Sequence, residues 1–165
     1  MPKPACLLSV LLSMALAGCA ERVEEPVAGM SSAAAFDANR FVDVWHVTAV
    51  LGEGGCGPLA ETWAMTAPDS YRVTGTICGP TGARAFVAPA SVTGPGRITR
   101  EMPQGAEALW VLWVDADYRV AVIGTPSRRF ARILSRTPEV RPDLMQAARD
   151  VLQFNGYDPA GLRPL

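Results

Sequence analysis

Few side chains in this sequence are placed for chemistry, and each has a quieter explanation in its context. Among 165 residues there is one histidine, His46, so a multi-histidine metal site is impossible. Any Ser/His/Asp arrangement would have to run through that residue. His46 follows Trp45 in a β-rich run whose alternation turns it outward, which makes it a surface or edge residue. Asp115 and Asp117 could form a general acid/base pair, yet at a hairpin turn they read as caps of backbone amides. The glycine-rich stretch 52–57 lacks a Lys-[Ser/Thr] ending and a following helix, so it is no phosphate loop. Arg128 and Arg129, a basic pair between two β-rich runs, could meet anionic lipid headgroups, but a solvated loop accounts for them. Neither a catalytic set, nor a metal set, nor a cofactor motif emerges, and the expectation is a protein that is not an enzyme.

The cysteines are more informative. Lys3, the only lysine, precedes an apolar stretch at 5–16 broken only by Ser9 and Ser13, which reads as a secretory signal too short to span a bilayer. Leu16-Ala17-Gly18-Cys19 then resembles the lipobox of bacterial lipoproteins, in which the cysteine thiol accepts a diacylglycerol and becomes the new N-terminus. Ala20, in place of an aspartate, implies the outer membrane. Several acyl chains at Cys19, at about 0.8 kcal/mol per buried methylene, would hold the protein to a leaflet, facing the periplasm. Residues 1–18 are therefore expected to be a signal peptide and 19–35, acidic and then small and polar, a lipidated flexible tether. Residues 36–165 form the folded domain. Cys6 leaves with the signal, and Cys56 and Cys78 remain as an even pair in an oxidising compartment, where a disulfide is the default. Ala67-Pro68-Asp69-Ser70 is a turn signal between two β-rich runs, so the two cysteines would meet at the open ends of one hairpin. Two cysteines without a nearby histidine make a poor zinc set.

The balance of 15 Lys+Arg against 16 Asp+Glu gives a formal charge of −1 and argues against nucleic acid as a partner. With 49% hydrophobic and 19% charged residues, the chain can bury a core. Short β-rich runs at 45–51, 59–66, 71–77, 84–92, 97–102, 109–115, 118–123 and 130–136 are separated by Gly, Pro and Asp. Their connections are too short for crossover helices, so an antiparallel meander follows: a sandwich or a closed barrel. One helix comes after them, with Pro142 at its first position, an apolar stripe of Leu144, Ala148, Val151 and Leu152, and Asn155-Gly156 at its end. Its apolar face must dock, most simply on the outside of the barrel.

Three segments resemble one family. Residues 36–45, Phe-Asp-Ala-Asn-Arg-Phe-Val-Asp-Val-Trp, resemble the lipocalin N-terminal motif; 114–119, Val-Asp-Ala-Asp-Tyr-Arg, resemble its second motif; and 133–138, Ile-Leu-Ser-Arg-Thr-Pro, resemble the third. The likeness covers roughly 36–158 and is closest to bacterial outer-membrane lipocalins. It implies an all-β fold: an eight-stranded antiparallel up-and-down β-barrel with one C-terminal α-helix packed outside. It also implies structural roles for Trp45, Asp115, Tyr118 and Arg136, with Trp45 plugging the closed end and Arg136 over its indole. Asp43 stands where the motif has glycine, so the backbone there is expected not to use glycine-only angles.

Period-two alternation gives an expected lumen. Trp45, Val47 and Ala49 point in, as do Glu61, Trp63, Met65, Tyr71, Val73 and Ile77. Leu134, Arg132 and Phe130 share the face of Arg136, while Ala131 and Ile133 face out. Phe86, Val120 and Val122 are expected neighbours; Trp110 and Trp113 lie in a run apolar on both faces and stay unassigned. The expected ligand-binding set is thus Val47, Ala49, Trp63, Phe86, Val120, Val122, Phe130 and Arg132. Such a cup suits an acyl chain with an acidic head, a fatty acid or lysophospholipid. Burying about 14 methylenes at roughly 0.8 kcal/mol each gives about 11 kcal/mol. Association removes at least about 4 of that, leaving micromolar affinity. Arg132 either meets the ligand's carboxylate or phosphate or is used internally, by pairing with Glu61 or reaching toward the mouth. The competing expectation is a side-chain-filled barrel in an envelope structural or interaction protein. Whether the protein is a monomer or dimer is not indicated.

Overall fold

The computed structural model describes residues 29–52, 56–57, 59–79 and 82–165. The expected signal peptide, Cys19 and the upstream part of the tether lie outside the described residues. Eight strands run in sequence: β1 Asp43–Leu51, β2 Leu59–Ala67, β3 Ser70–Gly79, β4 Gly82–Gly94, β5 Arg97–Met102, β6 Gly105–Val114, β7 Val120–Gly124 and β8 Ala131–Ser135. Each pairs antiparallel with the next, and β1 pairs with both β2 and β8, so the sheet closes on itself. Closure removes the sheet edges that an open meander would expose. A short ninth strand, β9 at Arg163–Pro164, adds to β1 opposite Ala49 and Val50; no alternation in the C-terminal tail foretells it.

Turn chemistry accounts for the meander. Asp69, with φ 56°, closes the β2–β3 hairpin, a left-handed position that Asp tolerates better than most residues. Tyr118, expected inside the seventh strand, sits in the preceding turn with φ 57°, and Phe130 and Arg136 flank β8 rather than belong to it.

Helix α1, Pro142–Phe154, starts with proline in its first turn and buries Ala148 and Leu152. These pack with Leu112, Val120, Val122, Ala131 and Ile133 on the outer face of the barrel, each large aliphatic contributing about 1.5–3 kcal/mol by burial. Trp110 and Trp113 both join this outer cluster, with the Arg97 guanidinium 4.4 Å from the centre of the Trp110 ring. Gly124 ends β7 where a Cβ would lie 2.2 Å from the Tyr157 hydroxyl. The absent side chain lets that hydroxyl donate to the Thr125 carbonyl at 2.8 Å and tie the post-helical segment to the barrel.

Two departures from the expected alternation change which residues face inward. Between Val47 and Ala49 the β1–β8 register shifts, and a bulge of this kind inverts the alternation beyond it. Val50, not Ala49, therefore joins the inner core, and Ala49 packs outside. In β7 the expected phase is reversed: Ala121 and Ile123 belong to the inner core and Val120 and Val122 to the outer cluster. That strand is buried on both faces, so its composition carries no phase; the pairing of Ile123 with Arg132 sets it.

Residues 29–35, expected to be the end of a flexible tether, lie along the barrel. The Ser31 amide donates to Asn155 Oδ1 at 2.8 Å, the Ser32 hydroxyl to the Pro95 carbonyl at 2.8 Å, and the Ala33 amide to the Val111 carbonyl at 2.8 Å.

Candidate functional site

The barrel interior divides into a filled lower half and an open upper half. Trp45, fully buried, donates its indole N–H to the Phe41 carbonyl at 2.9 Å. Phe41 lies tilted against Trp45 and edge-on to Trp63, and Trp63 meets Tyr71 edge-on at 5.4 Å. The Tyr71 hydroxyl donates to the Ala38 carbonyl at 2.7 Å, and burial raises its pKa well above the ordinary tyrosine range. These rings form a continuous apolar plug.

Arg136 seals it from below. Its Cζ lies 3.7 Å from the Trp45 ring centre, while its nitrogens donate to the carbonyls of Tyr118, Val44 and Arg40. Tyr118 accepts the Asp37 amide at 2.6 Å and carries the Arg40 guanidinium over its ring. Asp43 adopts φ 83°, so the expectation that aspartate would keep the backbone out of glycine's region is overturned. Aspartate is among the side chains that accept this conformation; burial lowers the Arg136 pKa, and the Asp43 charge offsets part of that.

Asp115 is a structural acid. It accepts the Arg119 and Val120 amides and the Arg119 Nε–H. Burial opposes ionisation, but these bonds outweigh it and hold the carboxyl below its usual range. Asp117 is exposed and bridges to Arg119 at 3.2 Å. The two carboxylates thus serve one hairpin, as their position in the turn suggests.

Above the aromatic plug, side chains from four strands form a buried ionic chain. Glu61, 1% exposed, accepts the Trp63 indole N–H at 3.2 Å through Oε2. Its Oε1 receives Nη1 of Arg100 at 3.0 Å and Nη1 of Arg132. Arg100 also donates through Nε and Nη2 to Glu107 Oε2, at 3.1 and 2.6 Å, and stands over the Phe86 ring. Burial pushes the Glu61 carboxyl up, but Arg132 and Arg100 together outweigh that and hold it below the ordinary carboxylate range.

The cavity over this ionic layer has a volume of about 450 Å³, within the range of small-molecule sites. Its wall carries Val47, Val50, Leu59, Ile77, Met102, Ala108 and Phe130, with Arg100 and Arg132 below and Thr76, Gln104, Glu107 and Thr125 as further polar groups. Of the expected ligand set, Val47, Phe130 and Arg132 line this space. Trp63 and Phe86 belong to the inner core but not to the cavity wall, and Ala49, Val120 and Val122 face the outer cluster.

Arg100 was missed by sequence reasoning, although alternation along β5 from Ile98 to Arg100 to Met102 places it inward. The Cys56–Cys78 disulfide is formed, with Cα atoms 5.6 Å apart, and Cys78 borders the cavity. It links the loop before β2 to the end of β3. His46 is half-buried, and Arg128, expected to be solvated, donates its Nε–H to the Asn155 carbonyl at 2.7 Å. Among the described residues no cluster of His, Cys, Asp and Glu could hold a metal ion, and no helix is long and apolar enough to cross a membrane.

A family model described as a lipocalin-like domain matches residues 83–165. A 49-residue stretch is 41% identical to Temperature-induced lipocalin-1 of Arabidopsis thaliana, covering 30% of this chain and 26% of that protein, so the match spans about a quarter of the relative's length. Among solved structures, lobster apocrustacyanin A1 aligns with a TM-score of 0.64 at 12% identity over 78% of each chain. The cockroach allergen Per a 4 aligns with a TM-score of 0.66 at 12% identity, covering 83% of this chain and 91% of the other. The siderocalin Ex-FABP aligns with a TM-score of 0.59 at 16% identity, covering 74% and 91%. At these identities the likeness is one of fold.

Proposed function

The chain belongs to the lipocalin family, whose members generally bind small hydrophobic ligands, and from that premise we propose that it binds and carries single-chain lipids, fatty acids or lysophospholipids, in the upper half of its barrel. The observation that carries this reading is the cavity of about 450 Å³ with an apolar wall over a charged floor. An acyl chain gains its affinity from the wall, at roughly 0.8 kcal/mol per methylene removed from water. The ionic floor gives the site a polar end, which a purely apolar ligand would not use. The reading is of a carrier without catalysis: the buried acids Glu61 and Asp115 are engaged by arginines or backbone amides.

A side-chain-filled barrel, the competing view, accounts for the layer from Trp45 to Trp63 but not for the space above it. The proposal extends to the leader. Cys19, after Leu16-Ala17-Gly18, is the acceptor of a lipid anchor, and the protein works at the outer membrane of a bacterial envelope, facing the periplasm. Lipocalin binding and membrane tethering would together let the protein take single-chain lipids from one surface and hold them out of water.

Titration of the folded protein with a fluorescent long-chain fatty acid tests the binding claim. Saturable enhancement at micromolar concentration, reversed by an unlabelled fatty acid or lysophospholipid, is expected; a signal that fails to saturate overturns it. For the anchor, expression of the full chain with radiolabelled palmitate is expected to label the wild type and not Cys19→Ser. Equal labelling of both would remove the anchor from the proposal.

A further inference from the structure

We propose that Arg132 is an anion receptor at the floor of the cavity, and that the ligand it takes is a long-chain monocarboxylic acid bound head-down, its carboxylate on the guanidinium and its chain toward the mouth. This inference rests on the reading above that the cavity holds a single-chain lipid. It adds which lipid, and which way round.

The two buried arginines are not equivalent. Arg100 is fully engaged: Nη1 goes to Glu61 and both Nε and Nη2 to Glu107. Arg132 has only Nη1 on Glu61, and on an oxygen that Arg100 shares. Its Nε and Nη2 are buried with no hydrogen-bond partner among the described residues, although the side chain is only 6% exposed. A guanidinium stays protonated and carries five donors in a rigid fork. Leaving one edge of that fork unpaired in a buried setting is unfavourable, so the edge is suited to receive an acceptor. Nε and Nη2 form the edge that binds a two-oxygen anion side-on with two parallel bonds. Arg132 also lines the cavity, beside Phe130, so a ligand there lies against this side chain.

Charge points the same way. One carboxylate, Glu61, serves two guanidiniums, and the second acid, Glu107, contacts only Arg100. Arg132 is the under-neutralised end of the chain Glu107–Arg100–Glu61–Arg132, and an incoming anion completes it.

The position of the site then selects the head group. Beneath the ionic layer the barrel is occupied by Trp63, Tyr71 and Phe41. A carboxylate is the terminus of its chain and needs no room beyond itself. The phosphate of a lysophospholipid is a diester with substituents on both sides, and a floor site has no space for the second. Head-down binding therefore favours the fatty acid over the lysophospholipid.

The test compares hexadecanoic acid, hexadecanol and a lysophosphatidylcholine of the same chain length by calorimetric titration of the folded wild type and of Arg132→Gln. The wild type is expected to bind the acid at least tenfold more tightly than the alcohol or the lysophospholipid. Arg132→Gln should bring the affinity for the acid down to that for the alcohol. Where that variant fails to fold, carbon-13 NMR of carboxyl-labelled hexadecanoic acid on the wild type decides. The bound carboxyl is expected to stay ionised to lower pH than the same acid in a detergent micelle. Equal affinity of the wild type for acid and alcohol, a lysophospholipid bound as tightly as the acid, or a bound carboxyl titrating as it does in the micelle overturns the receptor and leaves the carrier reading standing. Failure of all three lipids to bind overturns both.

Discussion

Arg136 and Trp45 close the base of the barrel as one unit: the guanidinium carbon is 3.7 Å from the indole centre, and the same guanidinium gathers the carbonyls of Arg40 and Val44. The two residues are 91 positions apart in sequence, so the contact staples the start of β1 to the chain following β8. Burial of the indole supplies the larger energy, and the arginine supplies direction by bonding the turn that precedes the strand.

Truncating that indole is the most damaging single change at the base. Trp45→Ala is expected to cost about 3–5 kcal/mol, because the aromatic column above it cannot collapse into the space. Arg136→Met, which keeps volume but loses the carbonyl bonds and the cation–π contact, should cost less. Urea unfolding of the two variants checks the order, and a Trp45→Ala protein as stable as the wild type would remove the indole from this role.

Asp43 offers a test of backbone strain. With φ 83°, it occupies a region that β-branched side chains avoid and glycine accepts. Asp43→Val is expected to lower stability by about 1–2 kcal/mol, and Asp43→Gly to fall close to the wild type. Denaturation midpoints ordered the other way would place the strain elsewhere.

The Cys56–Cys78 crosslink closes a loop of sequence separation 22. On the chain-entropy account a loop of this size contributes about 3 kcal/mol, and the paired Cys56→Ser/Cys78→Ser variant should lose about that amount and unfold identically with or without reductant. An unchanged midpoint would mean that the hairpin holds its own ends together.

Acid stability reports on Glu61. Its carboxyl is held below the ordinary value of 4.5 by Arg132 and Arg100 against the opposing pull of burial. A folded-state pKa below the unfolded one adds stability that is complete above the unfolded value and is lost as pH falls through the folded one. The wild type should therefore lose stability progressively below about pH 4.5, and Glu61→Gln should flatten that part of the profile. At neutral pH the variant should be less stable by about 3–5 kcal/mol, since two buried guanidiniums lose their shared acceptor. Parallel acid profiles for the two proteins would show that Glu61 does not control them.

Much of the barrel was legible before any coordinates. Short runs with turn residues between them indicated the meander, and the apolar stripe from Leu144 to Leu152 indicated a helix that must dock. Alternation put Glu61 inside because Thr62 and Thr66 give its run a polar outer face, and it put Phe130 and Arg132 inside through the phase they share with Arg136. It failed at Ala49, where the bulge after Val47 inverts the phase, and at Val120 and Val122, where both faces are apolar and a one-residue slip leaves no trace in composition.

Sequence alone determined the element order and the turns, because these depend on local preference and on periodicity within one strand, and the resemblance to lipocalin motifs pointed to the residues of the base. The ionic layer belongs to tertiary structure. Glu61, Arg100, Glu107 and Arg132 come from four strands, and nothing local in any of them specifies which carboxylate faces which guanidinium. Barrel closure sets that register, and with it the fact that Arg100 is satisfied by two acids while Arg132, at the cavity, leaves Nε and Nη2 unpaired among the described residues.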